Sequence, residues 1–167
     1  MTSYDDALDD LDAALARAKE ARWAEDYLTE QRRSFNEVMG CIYRLRNHLC
    51  EADRGAYWRS VDQCRGGRVV EAIVLVRGAT DHDFSRDVAP RTGYAYPSER
   101  LFPSPNLYLD DRNLFWRRRE DLDHDLSARD SHRRVADYDE HLADFLVLDT
   151  LEDARAFFAA YHSQPTS

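Results

Sequence analysis

Apolar residues recur along this chain at helical spacing almost from its first positions. Behind Ser3-Tyr4-Asp5-Asp6, a hydroxyl followed three places on by a carboxylate, stand Leu8, Leu11, Leu15 and Ala18 on one stripe. That is a capping pattern leading into an amphipathic helix. A clearer stripe follows, with Leu28, Phe35, Val38, Met39, Ile42, Leu45 and Leu49 on one side and Arg32, Arg33, Glu37, Arg44 and Asn47 off it. This spacing predicts a second, longer helix. A shorter one is expected to start near Asp53 and bury Tyr57, Trp58 and Val61, and Gly66-Gly67 then reads as a break in the chain.

The run Val69 to Val76 is apolar on every side except at Glu71. Its β-branched content suits a buried strand. Its only neighbours are helices, however, and a lone strand would leave its backbone groups unpaired. A central helix is therefore expected. From Phe84 to Asn106 four prolines (Pro90, Pro97, Pro103, Pro105), Gly93 and several tyrosines predict a long loop, the kind that in compact domains tends to carry function. Leu107-Tyr108-Leu109 and Leu114-Phe115-Trp116, separated by Asp110–Asn113, read as a short hairpin. Val135, Tyr138, Leu142 and Phe145 mark a further helix, and Thr150-Leu151-Glu152-Asp153 is expected to cap a last one carrying Leu151, Ala154, Phe157, Phe158 and Tyr161. No internal repeat is visible. The pattern predicts an all-α helical bundle forming a single domain over residues 1–163, with 84–117 as a non-helical insertion and 164–167 as a tail.

Composition agrees with that picture and narrows the setting. A chain of 167 residues with 43% apolar content can bury a real core and is too apolar to be disordered. Three cysteines, Cys41, Cys50 and Cys64, are too few for a disulfide framework. Cys41 and Cys50 lie on opposite faces of one predicted helix, so buried reduced thiols are expected. The opening MTSYDDALDD lacks the basic-then-apolar layout of a secretion signal, and no stretch has the roughly 18 apolar residues of a membrane span. A cytoplasmic protein with no membrane contact is the expectation. Net charge is −9, which argues against gripping long nucleic acid through a broad basic surface.

Most chemical signatures are missing. No glycine-rich phosphate loop, H-E-x-x-H or C-x-x-C occurs, and no cofactor is implied. Asp81-His82-Asp83 and Asp123-His124-Asp125 mix carboxylate with imidazole, but adjacent side chains diverge, so neither triplet makes a full metal site. Arg117-Arg118-Arg119 follows two aromatics and runs into Glu120 and Asp121, which reads as a surface turn paired with acidic groups.

Arg77-Gly78-Ala79-Thr80-Asp81-His82 stands apart. An imidazole can move the proton of a ribose 2′-hydroxyl near neutral pH, and a guanidinium can hold two phosphate oxygens while charge grows on them. Such a pair cleaves RNA without a metal, leaving a cyclic phosphate. Arg119/His124, Arg134/His141 and Arg155/His162 have similar spacing and read as accidents of an arginine-rich composition. Arg77 and His82 differ because they end the most apolar segment of the chain.

Residues 35–82 resemble part of a HEPN domain, a helical-bundle family that includes many prokaryotic defence and toxin ribonucleases. The resemblance rests on the helix led by Phe35 with Arg44 and Arg46, on Tyr57-Trp58, and on the apolar segment running into Arg77 and His82. It implies that Arg77 and His82 are the catalytic pair of a metal-independent ribonuclease, of defence or toxin–antitoxin kind, commonly completed across a homodimer. The family usually carries a polar residue where Gly78 stands here, and Asp81 and Asp83 flank the histidine. Two other readings stay open. One is a catalytically silent HEPN-like module that binds a nucleotide or a protein partner. The other is an acidic helical interaction domain.

Overall fold

The computed structural model describes residues 3–79, 87–90, 112–126 and 132–162. Five α-helices dominate them, and the fold is an all-α bundle: α1 (Tyr4–Ala21), α2 (Tyr27–Gln63), α3 (Arg65–Ala79), α4 (His132–His141) and α5 (Val147–His162). Two short strands, β1 (Val88–Pro90) and β2 (Leu114–Trp116), lie between α3 and α4 in sequence. One cluster of buried side chains joins these elements, from Leu11 in α1 to Phe158 in α5.

Local chemistry accounts for the helix ends. Ser3 and Asp6 form the expected capping box, with Asp6 N–H donating to Ser3 Oγ at 3.1 Å and Ser3 N–H donating to Asp6 Oδ2 at 3.0 Å. Inside α2 the backbone leaves helical geometry at Asp53, whose φ is −155° and ψ 96°. Asp53 Oδ1 accepts from Ala56 N–H at 2.8 Å, so a new helical run starts there, as the sequence predicts. Val69 to Val76 is helical, and Val69, Val70, Ala72, Ile73 and Val76 have no exposed surface. Full burial of each larger side chain there stabilises the fold by roughly 1.5–3 kcal/mol. This helix packs against α2, α4 and α5.

Four expectations need correction. The break before α3 falls at Cys64, which is extended, while Gly66 and Gly67 belong to the first turn of the helix. Their role is close approach. A Cβ on Gly67 would stand 2.6 Å from Val61 Cα, and one on Gly66 would stand 2.8 Å from the Asp153 carbonyl. Gly67→Ala is therefore expected to lower stability by about 2 kcal/mol, whereas Gly40→Ala raises it by roughly 0.5–1 kcal/mol. Gly40 sits in mid-helix with nothing within 4 Å of its Cβ position. Urea midpoints of the two variants check the contrast, and equal shifts would refute it.

Second, Val88–Pro90 is a strand inside the expected loop. It pairs antiparallel with β2, Val88 opposite Trp116 and Pro90 opposite Leu114. The hairpin expected for Leu114–Trp116 thus has β1 as partner, and Leu107–Leu109 lies outside the described residues. On its other side β2 bridges to Leu146, and the Trp116 indole N–H donates to Thr150 Oγ1 at 2.9 Å. Third, α5 starts at Val147, so Thr150 is buried in its first turn rather than capping it. The turn from α4 into α5 uses Asp144 at φ 70°, a conformation aspartate tolerates. Fourth, the cysteines are free, but only Cys41 is buried; Cys50 is half-buried and Cys64 exposed. Among the described residues no helix is long and apolar enough to cross a membrane.

Candidate functional site

Arg77 lies in the last turn of α3, half-buried, with its guanidinium carbon 4.4 Å from the centre of the Tyr43 ring. Helix α3 is buried from Val69 to Val76, and at Arg77 its C-terminal end meets solvent. Tyr43 is an exposed aromatic of α2, and its face holds the guanidinium in place by a cation–π contact. A cation also suits this end of a helix, where the last carbonyls carry partial negative charge. Among the described residues nothing lies within 4 Å of where a Cβ would stand on Gly78, so there is room for a side chain there. His82 lies outside the described residues, as do Asp81 and Asp83.

Down the same α2–α3 seam sits a polar cluster that sequence reasoning missed. Glu71, with no exposed surface, stands in the middle of the apolar helix. Arg46 Nε donates to its Oε1 at 3.0 Å and Arg134 Nε to its Oε2 at 2.7 Å. The Tyr57 hydroxyl donates to Oε1 at 2.5 Å. Burial first, and then the adjoining Glu71 charge, push the Tyr57 hydroxyl far above its ordinary pKa, so it remains a proton donor. The carboxylate is thereby satisfied by groups from both runs of α2 and from α4. Without them a buried charge would be untenable.

Trp58, next to Tyr57, gathers three guanidiniums. Arg133, Arg134 and Arg46 have their guanidinium carbons 5.0, 5.9 and 6.0 Å from its ring centre. Arg133 also pairs with Asp62, which Arg68 approaches at 3.7 Å. Burial pushes the neighbouring Cys50 thiol upward, so it stays protonated and is no nucleophile.

The other Arg/His spacings resolve into structural contacts. Arg155 binds Asp12 through Nε and Nη2 at 2.7 and 2.8 Å, tying α5 to α1. His162 stacks on Tyr4 and meets Asp5 at 3.0 Å. Arg134 turns to Glu71, not to His141. Arg118 and Arg119 do pair with acids, but these are Asp144 and Asp139 from beyond the turn rather than Glu120 and Asp121. His124 is not a solvated surface group: its Nε2 lies 3.5 Å from Oδ1 of the fully buried Asp87.

By architecture the chain belongs to the all-α bundles, here with an arginine-rich seam where α2, α3 and α4 meet. Compared with family models, curated proteins and solved structures, it matches none.

Proposed function

We propose that this protein is a metal-independent endoribonuclease resembling the HEPN ribonucleases and acting in the cytoplasm, where its three cysteines stay reduced thiols. Arg77 holds the scissile phosphate and His82 takes the proton of the ribose 2′-hydroxyl. The 2′-oxygen attacks phosphorus, the bond to the 5′-oxygen breaks, that oxygen leaves as a hydroxyl with a proton from water, and His82 returns its proton to solvent. The products are a 2′,3′-cyclic phosphate and a 5′-hydroxyl. The observation carrying this reading is the placement of Arg77, a guanidinium supported on an exposed aromatic face where the buried helix reaches solvent. The direct experiment is incubation of the purified protein with single-stranded RNA in a chelator. Cleavage is expected, with no cutting of DNA, which lacks the 2′-hydroxyl.

The HEPN resemblance implies that the site formed by Arg77 and His82 is completed across a homodimer. A two-fold homodimer brings each residue toward its mate across the axis and completes the site. Sedimentation velocity at micromolar concentration is expected to show a dimer, and a monomer there would count against a shared site.

Gly78 favours a second reading. Without the side chain usual in HEPN proteins at that place, the chain is a silent HEPN-like module that binds RNA, a nucleotide or a protein partner through the same face. Bound but uncut RNA is the result that selects it.

A further inference from the structure

Glycine weakens the middle of a helix relative to alanine, and its use there is close approach by a neighbour. For Gly66 and Gly67 that neighbour lies inside the fold, at Asp153 and Val61. Gly40 has none. It stands mid-way along α2, half-buried, and among the described residues nothing lies within 4 Å of where its Cβ would stand. The fold gains nothing from glycine here and would be more stable with alanine. A position held below its best stability points to contact with something outside the fold.

Gly40 adjoins the Arg77 contact. Helix α3 runs antiparallel along α2, with Glu71 at Arg46 and Arg77 at Tyr43. Gly40 is the next turn of α2, about 4.5 Å along the axis from Tyr43 and on the same face, and the half-buried Asn36 is one turn further. No carboxylate pairs with Arg77 among the described residues. The face thus offers, in order, an unneutralised guanidinium, an exposed aromatic ring, bare backbone and an amide. A phosphate suits the first, a flat ring the next two and the hydrogen-bonding edge of a base the last. Among the described residues Tyr43 is the one large apolar side chain of α2 that is exposed. That is too little apolar surface to seat a partner helix, but enough for a single ring. We propose that the Gly40 face of α2 is a nucleobase subsite, where the base next to the phosphate on Arg77 lies over the bare backbone beside Tyr43. The proposal rests on the RNA reading above and extends it from phosphate to base.

Uridine 5′-phosphate and ribose 5-phosphate, which differ by the base, test it in NMR titrations with chelator present. The wild type is expected to bind the nucleotide roughly tenfold more tightly, within the range one stacked base contributes. The Gly40 amide signal should move with the nucleotide and stay in place with the sugar phosphate. Gly40→Leu puts a good helix former on an open surface, so its urea midpoint should be no lower than that of the wild type. The tenfold advantage of the base should nevertheless disappear in it. Arg77→Ala should weaken both ligands, and Arg155→Gln, at the far α1–α5 contact, should match the wild type. Equal affinity for the two ligands in the wild type, or a base preference that survives Gly40→Leu, would overturn the subsite. RNA cleavage by the wild type would then still stand as evidence for a ribonuclease. If the preference survives and Gly40→Leu instead dissociates a dimer, the face belongs to a second copy of the chain. A preference lost in Gly40→Leu, with no RNA cleavage by the wild type, supports the subsite and rejects the ribonuclease. Binding of neither ligand overturns the subsite.

Discussion

Replacing His82 with alanine is expected to cost at least the ~10²-fold in RNA cleavage typical of a lost general acid or base. Without the imidazole, water must take the 2′-hydroxyl proton, and two of the described histidines are engaged elsewhere. His124 faces Asp87, and His162 is engaged by Tyr4 and Asp5. Arg77→Ala should be comparably damaging. Arg77→Lys should recover little, because a point charge cannot reproduce a two-oxygen contact or lie flat on the Tyr43 ring 4.4 Å away. Arg155→Ala and His162→Ala, a pair of similar spacing bound to α1, are the controls and should retain full activity. Single-turnover rates on a short RNA distinguish these outcomes. Equal rates for the wild type and His82→Ala would end the proposed mechanism.

Removing Glu71 should have the largest effect on stability. Its carboxylate has no exposed surface and receives Arg46, Arg134 and Tyr57, while the two arginine side chains are only 16% and 19% exposed. Glu71→Ala leaves two guanidiniums packed together with no shared anion, and breaking such a buried set by deleting one partner costs about 3–5 kcal/mol. Glu71→Gln should cost less, since the amide oxygen can still accept. Combining Arg46→Ala with Glu71→Ala should cost clearly less than the two single losses added, because each single change strands the other group. Denaturant midpoints of the four variants, Arg46→Ala alone among them, measure these costs. A Glu71→Ala cost below about 1 kcal/mol would show that the cluster is not a structural tie.

The helices were legible because their causes are local. A hydroxyl and a carboxylate three residues apart suffice to start α1, and the Phe35, Val38, Ile42 and Leu45 stripe needs only the helical repeat to face one way. Asp53 restarts a helix through its own side chain, so it too could be read in advance. Gly66 and Gly67 were misread because their purpose is a neighbour, Val61 for one and Asp153 for the other, that local pattern does not reveal. The same holds for β1: Val88–Pro90 becomes a strand through pairing with β2, more than twenty residues away in a proline-rich stretch.

For the candidate site the division falls at Glu71. A lone carboxylate in an apolar run is visible in the sequence, and its burial implies that cations must come to it. Which cations come is a matter of helix placement. Many arginines in this chain share Arg134's charge, and only the crossing of α4 over α3 selects that one. Arg77 is a similar case: its position at the end of a buried helix follows from the apolar run, but its support on Tyr43 depends on how α2 and α3 lie side by side. Sequence determines what short-range hydrogen bonds and apolar periodicity impose on each segment by itself. The guanidinium cluster around Trp58 forms only where α2 and α4 meet, and so belongs to the tertiary structure.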